Sequence, residues 1–378
     1  MASCQVKGDL MMTHEEHMAD YYRRLESSHL GPLWDSLQTI MTKQPKPRAI
    51  PYLWDWKSVY DFVMESGQLV TPERGGERRV VFFRNPGLEN LEPWGWGSLT
   101  HTLYAGIQLL LPGEKAPSHR HNQNAIRFIV QGSGAYTVVE GERVYMEEGD
   151  FLITPSGLWH DHVHEGDEPM LWLDCLDIPL VYELGVTFFE NHPEFNQPVT
   201  LPDNYSTERF VGAGLRPIQD RNNRYAPQAI YKFKETRRAL DRLSNLSPDP
   251  FDGYAVEYVN PTTGAAAGHT IGAMMQKLPP RFHTDAHRHV HGAIYHVFKG
   301  EGSSVINGVQ FNWKQGDTFV IPNWAWHEHI NTGHDDAYLF STNDLPVMEA
   351  LHLDKSEAYP EQHQAVVGTF KDDRITTS

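Results

Sequence analysis

The stretch that decides the fold is residues 113–160, GEKAPSHRHNQNAIRFIVQGSGAYTVVEGERVYMEEGDFLITPSGLWH. His119 and His121 are two positions apart, so on a β-strand their side chains point to the same face. His160 follows a glycine-bounded hairpin pattern, which predicts that the chain returns a third imidazole to the first two. Three histidines on one side of a divalent metal leave its other coordination positions open to ligands.

The same pattern occurs twice in the chain. The motif His-Arg-His at 119–121 recurs at 287–289. The motif Gly-Asp-x4-Pro-x4-His that ends at His160 recurs with its end at His327, so the two motifs repeat at almost the same distance along the chain. Two motifs that recur after nearly the same number of residues indicate a duplicated domain. A possible second metal set is therefore His287, His289 and His327.

Both copies consist of short β-rich runs separated by Gly, Pro and acidic turns. Such runs at a spacing of about 8–12 residues are typical of an antiparallel barrel or jelly roll. We predict a mainly β fold of two tandem jelly-roll β-barrels, each closed, with a helical N-terminal extension. The predicted organisation is a helical arm at 1–72, a first copy with the active site at 73–190, a linker at 191–250, a second copy at 251–345 and a C-terminal tail at 346–378.

Three helices are predicted in the N-terminal arm. Thr13 and Glu16 have the spacing of a capping box, at the start of the helical pattern HEEHMADYYRRLESSHL. The segment PLWDSLQTIM predicts a second, short helix. The segment WDWKSVYDFVMESGQLV predicts a third helix that ends near Gly67.

Composition narrows the classes of function. The chain has 378 residues and a formal net charge of −17, which argues against nucleic acid or an anionic membrane as a partner. Its two cysteines, Cys4 and Cys175, form no disulfide framework, which suits the reducing cytoplasm. The sequence has no apolar run of the about 20 residues that span a bilayer. We expect a cytoplasmic protein without a secretory signal.

The spacing G-x5-H-x-H, followed by G-D-x4-P-x-G-x2-H, resembles the cupin family. Many cupins have a glutamate four or five residues after the second histidine, where this chain has Ala125 and Ile126. A set of three neutral imidazoles leaves the full charge of a divalent metal to be balanced by an incoming anion. A phenolate next to a carboxylate would supply that charge in bidentate form. Imidazole ligands suit Fe, Zn, Cu or Ni, so the residues alone do not choose the metal.

Several residues near the first histidine set are candidates for substrate binding. Alternation along one strand places Tyr104, Gly106 and Gln108 on one face. A small residue between two polar ones suits a pocket floor under a ring, although a glycine also bends barrel strands. Arg127 is predicted to point inward, where it pairs with a substrate carboxylate or with a buried acid. Arg78 is a second candidate anion ligand, with a surface role as the alternative.

Two further residues are candidates for catalysis. His162 is two positions beyond His160 and shares its face if the strand continues. Its imidazole could act as an acid or base on a substrate hydroxyl near neutral pH, or it could lie at the pocket rim. Asp174 is a candidate to orient that imidazole.

The motifs AGIQLLLPGE-x-AP-x-HRH-x-QNA-x-RF, GD-x-L-x-TP-x-x-x-x-H-x-H and D-x-LDIP resemble the gentisate 1,2-dioxygenase family, together with GGERR and NPG upstream. That family includes enzymes that cleave salicylate and 1-hydroxy-2-naphthoate. The resemblance implies Fe(II) as cofactor, bound by His119, His121 and His160. It implies cleavage of a hydroxylated aromatic acid by O2, with both oxygen atoms incorporated, in aromatic hydrocarbon catabolism. The residues that would surround the substrate are Arg78, Gln108, Arg127, His162 and Asp174.

Gentisate, converted to maleylpyruvate, is the favoured substrate. Within the family a tryptophan is found at position 104 in a salicylate-cleaving relative, and Tyr104 is similar to the gentisate type. Salicylate and 1-hydroxy-2-naphthoate are the alternatives within the class. A non-catalytic bicupin that binds metal or ligand, and a metal-dependent isomerase or decarboxylase, are alternatives of other classes. The resemblance also implies a homo-oligomer, expected to be a tetramer with contacts from the N-terminal arm.

Overall fold

A computed structural model gives the fold and describes residues 13–71, 79–90, 97–210, 215–220 and 228–371. The described residues up to 46 and those from 47 onward form two compact units. Within the described ranges, every helix is too short or too polar to cross a membrane.

The first unit has two helices, α1 (His14–Ser27) and α2 (Leu33–Ile40). The predicted capping box is confirmed, because the Thr13 hydroxyl accepts from the Glu16 N–H and the Glu16 carboxylate accepts from the Thr13 N–H. Neither helix contains a buried residue. An apolar stripe at helical spacing along α2 is therefore exposed, formed by Leu33, Leu37, Ile40 and Met41.

The second unit is mainly β, and its helices are short. They are α3 (Trp56–Leu69), α4 (Ile178–Glu183), α5 (Tyr205–Arg209), α6 (Phe233–Leu243) and α7 (Leu345–Ala350). The strands up to residue 231 are β1 (Tyr52–Trp54), β2 (Val80–Phe82), β3 (Tyr104–Leu110), β4 (Lys115–His121), β5 (Ala125–Gln131), β6 (Ser133–Val139), β7 (Glu142–Glu147), β8 (Phe151–Thr154), β9 (His160–His164), β10 (Met170–Leu176), β11 (Phe189–Asn191) and β12 (Ile230–Tyr231).

The later strands repeat this arrangement. They are β13 (Tyr254–Glu257), β14 (Gly272–Leu278), β15 (His287–His289), β16 (Ala293–Lys299), β17 (Glu301–Ile306), β18 (Val309–Lys314), β19 (Thr318–Ile321), β20 (His327–Asn331), β21 (Ala337–Asn343), β22 (Ser356–Ala358) and β23 (Gly368–Thr369).

Each copy of the duplicated domain is a pair of sheets. The first copy has the strand orders β12-β8-β5-β10-β3-β2 and β11-β4-β9-β6-β7. The second copy has the orders β13-β14-β21-β16-β19-β1 and β22-β15-β20-β17-β18-β23. The predicted duplication and mainly β fold are confirmed. The prediction of closed barrels is wrong in detail, because the strands form open sheets in a jelly-roll-like arrangement.

The largest apolar core lies between the two copies rather than inside either one. Phe128 of β5 stacks on Phe340 of β21, with ring centroids 4.2 Å apart and planes inclined by 10°. Ile126 and Phe128 face this core, whereas Arg127 and Ile129 point into the first copy. Strand alternation therefore separates an apolar packing face from an inner face that is free to carry polar groups.

Two short strands extend the sheets beyond the predicted boundaries. β1 precedes the third helix and pairs with β19 at an edge of the second copy. Asp55 ends this strand and caps α3, since its carboxylate accepts from the Ser58 N–H at 3.0 Å. β12, from the segment predicted to be a linker, pairs with β8 of the first copy. The C-terminal segment is also structured, because β22 pairs with β15.

Candidate metal centre

The three predicted histidines of the first copy lie together on two neighbouring strands. β4 carries His119 and His121, and the antiparallel register of β4 and β9 sets His119 opposite His160. Each imidazole offers one nitrogen, and these nitrogens lie within 4.8 Å of one another. His119 and His160 are the nearest pair, with ring centroids 4.3 Å apart.

Backbone carbonyls fix the orientation of all three rings. Nδ1 lies 2.9 Å from the Pro117 carbonyl in His119, 3.0 Å from the Gln123 carbonyl in His121 and 3.1 Å from the Leu158 carbonyl in His160. A carbonyl oxygen only accepts, so Nδ1 carries the proton in each ring and Nε2 presents a lone pair.

The arrangement fits a divalent metal. Nε2 of His160 is buried and has no hydrogen-bond partner in the described part of the chain, which a metal bond would correct. Burial lowers the pKa of His160 well below its ordinary value, and the charges of His119 and Arg127 lower it further. His160 is therefore neutral at pH 7, as a metal ligand must be.

The second set has nearly the same geometry. The ring centroids of His287 and His327 are 4.2 Å apart, and those of His289 and His327 are 4.7 Å apart. Nδ1 of His327 lies 3.0 Å from the Ala325 carbonyl, and its buried Nε2 has no hydrogen-bond partner among the described residues. A metal fits this set too, but Nδ1 of His287 has no hydrogen-bond partner among the described residues, so this ring is held less firmly than those of the first set.

A buried ion pair lies beside the first histidine set. Arg127 Nε is 3.1 Å from Asp174 Oδ1, and the two side chains are 5% and 7% exposed. The Arg127 Nε–H does not point at Asp174 Oδ1 well enough to form a hydrogen bond. The attraction between the two groups is therefore mainly Coulombic. Arg127 Nη1 also donates to Thr154 Oγ1 at 2.7 Å. The sequence predicted either a substrate carboxylate or a buried acid as the partner of Arg127. In the structure the partner is the buried acid, Asp174.

Burial and charge act against each other in this pair. Burial raises the pKa of Asp174 to about 6, although the Arg127 charge opposes that rise. Burial also lowers the pKa of Arg127, and Asp174 opposes that shift. An incoming carboxylate would compete with Asp174 for the guanidinium.

The three candidates on β3 differ in their surroundings. Gln108 is 6% exposed, and its side-chain amide has no hydrogen-bond partner within the described part of the chain. Tyr104 is half-buried, with its ring centroid 5.8 Å from that of Phe82, and burial raises the pKa of its hydroxyl. Gly106 packs against β2, since a Cβ there would lie 2.7 Å from Val80 Cγ1. This close packing, rather than a pocket floor, requires the glycine.

His162 points into the same interior but has a different partner from the one predicted. Its Nδ1 lies 2.7 Å from the Thr137 hydroxyl, and both side chains are buried. Asp174 was expected to orient His162, yet it is engaged with Arg127 instead. Burial lowers the pKa of His162 well below its ordinary value, and the Arg127 charge lowers it further.

Thr137 is a site residue that the sequence interpretation missed. A detectable signal existed, because Ser304 occupies the equivalent position of the second copy and its hydroxyl lies 2.8 Å from His329 Nδ1. The hydroxyl–imidazole pair is thus duplicated along with the metal set. Arg78 lies outside the described residues.

The second copy lacks the ion pair. Tyr295 and Ser341 take the sheet positions of Arg127 and Asp174, and they are direct neighbours on β16 and β21. The Tyr295 ring stacks on Phe319 at 5.0 Å, which fills the interior with apolar groups. The two copies therefore have similar histidine sets and differ in the residues that face them from the neighbouring strands.

The fold and the paired histidine sets define the chain as a bicupin. A sequence profile of the cupin domain matches residues 106–176 and 274–343. The gentisate 1,2-dioxygenase 1 of Aquipseudomonas alcaligenes is 40% identical over 88% of this chain and 94% of its own. The 5-aminosalicylate 1,2-dioxygenase of a Comamonas species is 39% identical over 96% of this chain and 94% of its own.

A solved structure is similar over nearly the whole chain. It is the salicylate 1,2-dioxygenase of Pseudoaminobacter salicylatoxidans in its adduct with gentisate, with a TM-score of 0.85 and 33% identity over 93% of this chain and 96% of that one. The chain belongs to the gentisate 1,2-dioxygenase family, and it is an oxidoreductase of the ring-cleaving dioxygenase type.

Proposed function

We propose that the first copy uses Fe(II) and O2 to cleave gentisate to maleylpyruvate. The observation that carries this proposal is the combination of a three-imidazole set with a buried arginine, a buried glutamine amide and a buried histidine in one interior. They are Arg127, Gln108 and His162. A storage or purely structural site would not require a buried cation and an unused amide beside a metal set.

His119, His121 and His160 would hold the metal through Nε2. When bound there, Fe(II) would supply the Lewis-acid and redox chemistry by which an aromatic hydroxy-acid reacts with dioxygen. Three neutral ligands favour an anionic chelating substrate, because they leave the charge of the metal uncompensated. The absence of a carboxylate ligand at Ala125 and Ile126 has this chemical consequence.

Arg127 would bind and orient the substrate carboxylate. Arg127 points into the interior that also contains His160 and His162, and its charge adds to the effect of burial in lowering the pKa of both imidazoles. An arginine fork matches a carboxylate in bidentate geometry and would fix the ring about its carboxylate axis. Gln108 would then hydrogen-bond a polar substituent of the ring.

His162 would hold or move a proton at a substrate hydroxyl. Thr137 occupies its Nδ1, so Nε2 is the nitrogen available to the substrate. The ring is neutral at pH 7 because burial lowers its pKa, and a neutral imidazole can accept or donate one proton there.

Gentisate is preferred over salicylate on chemical grounds. Gentisate and 5-aminosalicylate, after which the two relatives are named, both carry an electron-donating group para to the hydroxyl. Such a group enriches the ring that must react with oxygen. Burial raises the pKa of the half-buried Tyr104 phenol and the Asp174 charge raises it further, which supports a place for Tyr104 at the pocket. We propose 5-aminosalicylate as a second substrate because of the near-full-length similarity to the Comamonas enzyme.

The second copy would bind metal without catalysing the reaction. His287, His289 and His327 form a complete ligand set, but Tyr295 replaces the arginine that would bind a substrate carboxylate. The stacked Tyr295 and Phe319 rings leave less room for a substrate ring. We expect metal here to stabilise the fold.

We further propose a cytoplasmic homotetramer with contacts made by the N-terminal arm. The exposed stripe of Leu33, Leu37, Ile40 and Met41 on α2 supports this assembly. A second copy of the chain is the partner that a stripe on the arm would meet in a homo-oligomer.

Oxygen consumption tests the proposed reaction. Iron-loaded protein is mixed in an oxygen electrode with gentisate, 5-aminosalicylate, salicylate and 1-hydroxy-2-naphthoate in turn, and the product is identified by absorbance and mass. The expected result is fastest uptake with gentisate, with one O2 consumed for each maleylpyruvate formed. Loss of all uptake, or turnover of these acids without O2, would rule out the dioxygenase.

A further inference from the structure

A third cluster of metal-ligating side chains lies on the outer side of the second copy. It consists of His283, Glu328 and His363, and we call it the outer cluster. Glu328 stands between His327 and His329 on β20, so strand alternation turns it away from the interior histidine set. Its side chain is nevertheless only 1% exposed, because His283 and His363 cover it.

The two imidazoles converge on one oxygen of the Glu328 carboxylate. Glu328 Oε2 is 3.5 Å from His283 Nε2 and 3.2 Å from His363 Nδ1. A tetrahedral ion with ligand bonds of about 2.0–2.1 Å holds its ligand atoms about 3.3–3.4 Å apart. The observed spacings lie on either side of that value. A buried carboxylate needs a compensating cation, and a divalent ion bound by all three groups would supply it.

The duplication provides an internal comparison. In the first copy Gln197 donates its N–H to Asp161 at 2.9 Å and its amide N–H to the Val138 carbonyl at 3.0 Å. In the second copy Gln364 makes the same two bonds, to Glu328 at 3.1 Å and to Val305 at 2.8 Å. The glutamine therefore fastens the returning segment to the sheet in both copies, without any need for histidines.

The histidines are what the second copy adds. Asn196 precedes Gln197 in the first copy where His363 precedes Gln364 in the second. In the first copy the backbone of Lys115 pairs with that of Val163. In the second copy the backbone of His283 pairs with that of Ile330, which is equivalent to Val163. The positions of Lys115 and Asn196 in the first copy are thus occupied by His283 and His363 in the second copy, where both imidazoles lie within 3.5 Å of the buried Glu328. Among the described residues, this combination of ligands suited to a transition metal occurs in the second copy and not at the equivalent place in the first.

We propose that His283, Glu328 and His363 form a third metal centre, for a divalent transition-metal ion of the Zn²⁺ type. The two rings are stacked with centroids 3.8 Å apart and planes inclined by 14°. Both are about one-third exposed, so one ring can tilt out of the stack to point its lone pair at the ion. Solvent supplies the fourth ligand. The ion joins the segment after β22 to β20, close to the second histidine set but separate from it.

Zinc binding to the full-length, iron-loaded protein tests this site. Wild type and three variants are dialysed against Zn²⁺, and zinc and iron per chain are counted by mass spectrometry. His363→Asn and His283→Lys each introduce the side chain of the first copy. His352→Asn is the control, since His352 is exposed, lies outside all three sets and has a positive φ of 56° that asparagine tolerates.

The expected result is one zinc fewer per chain in His363→Asn and in His283→Lys than in wild type or His352→Asn, with iron content and oxygen uptake unchanged. Zinc should raise the melting temperature of wild type and the control, but not of these two variants. Equal zinc content in all four proteins would overturn the proposal, and so would a wild type whose stability zinc does not change. Because zinc content is counted independently of turnover, failure here leaves the dioxygenase proposal intact.

Discussion

Arg127 of β5 lies directly opposite Asp174 of β10, and their side chains form an almost fully buried ion pair at 3.1 Å. The pair keeps a guanidinium inside the first copy, beside the histidine set, at a position where an unpaired cation would be costly. In the second copy the same positions hold Tyr295 and Ser341. The pair thus distinguishes the copy that we propose binds the substrate carboxylate.

Arg127→Lys should weaken gentisate binding. Lysine keeps the charge that Asp174 requires but loses the planar fork, so the fold is retained while a charged hydrogen bond to the substrate is lost. Such a bond is worth about 1.5–3 kcal/mol, which corresponds to a roughly tenfold to hundredfold rise in Kd. Tyr295→Phe is the matched control in the second copy and should leave Kd unchanged. Calorimetry under anaerobic conditions measures both, and equal Kd values for Arg127→Lys and wild type would refute the role.

Asp174→Asn should remove a pH dependence of substrate binding. The pKa of Asp174 is raised to about 6, so the group gains a proton as pH falls through that value and its competition for Arg127 ends. KM for gentisate in wild type should therefore fall as pH is lowered from 7 to 5. The asparagine variant mimics the protonated form and should have a low KM throughout this range. Identical KM profiles would contradict this assignment.

The same titration affects stability with a definite sign. The folded-state pKa lies above the ordinary value of 3.8, so folding favours the protonated carboxyl. This group's contribution to the free energy of unfolding therefore increases as pH falls through about 6, and Asp174→Asn should lack that increase. Urea denaturation at pH 5 and pH 7 measures the difference.

Thr137→Val should lower kcat with little effect on KM. The valine fills the same buried space but no longer holds His162 Nδ1, which leaves the ring free to rotate. A positioned acid–base group contributes about 10²–10⁴-fold, of which we expect roughly tenfold or more to be lost. Thr137→Ser should restore activity, and Ser304→Ala in the second copy is the control. If Thr137 were needed only for packing, Thr137→Val would retain full activity, and this result would contradict the positioning role.

Leu37→Asp should weaken the oligomer. Leu37 lies in the exposed stripe of α2, and a charge there would oppose burial against another subunit. Light scattering coupled to gel filtration should record a smaller mass for this variant than for wild type. Leu246→Asp changes an equally apolar exposed residue outside the arm and should keep the wild-type mass. An unchanged mass for Leu37→Asp would remove the arm from the interface.

Sequence pattern predicted the features that depend on local spacing. The nearly constant distance between repeated motifs revealed the duplication and both histidine sets. The alternation of side chains along a strand correctly predicted that Arg127 and His162 point inward. It could not choose the partner of either side chain, because partners are set by cross-strand register. Thr137 and Asp174 reach their positions through β6 and β10, and a single sequence does not specify those pairings.

The remaining differences arise from long-range pairing. β1 precedes the first copy but joins a sheet of the second, β12 joins the first copy from the segment predicted to be a linker, and each is only two or three residues long. Short edge strands carry too little periodicity to be recognised. His363 of the outer cluster likewise comes from a polar C-terminal segment in which one histidine has no distinguishing pattern.

The most direct test of the central claim is gentisate-dependent oxygen uptake by matched variants of the two histidine sets. His119→Ala and His287→Ala remove the equivalent ligand from the first and second copies. Iron per chain is counted for each protein before the assay. His119→Ala should lose both the catalytic iron and all uptake, whereas His287→Ala should keep most of its uptake. Full uptake by His119→Ala, or equal loss in both variants, would contradict the assignment of catalysis to the first copy.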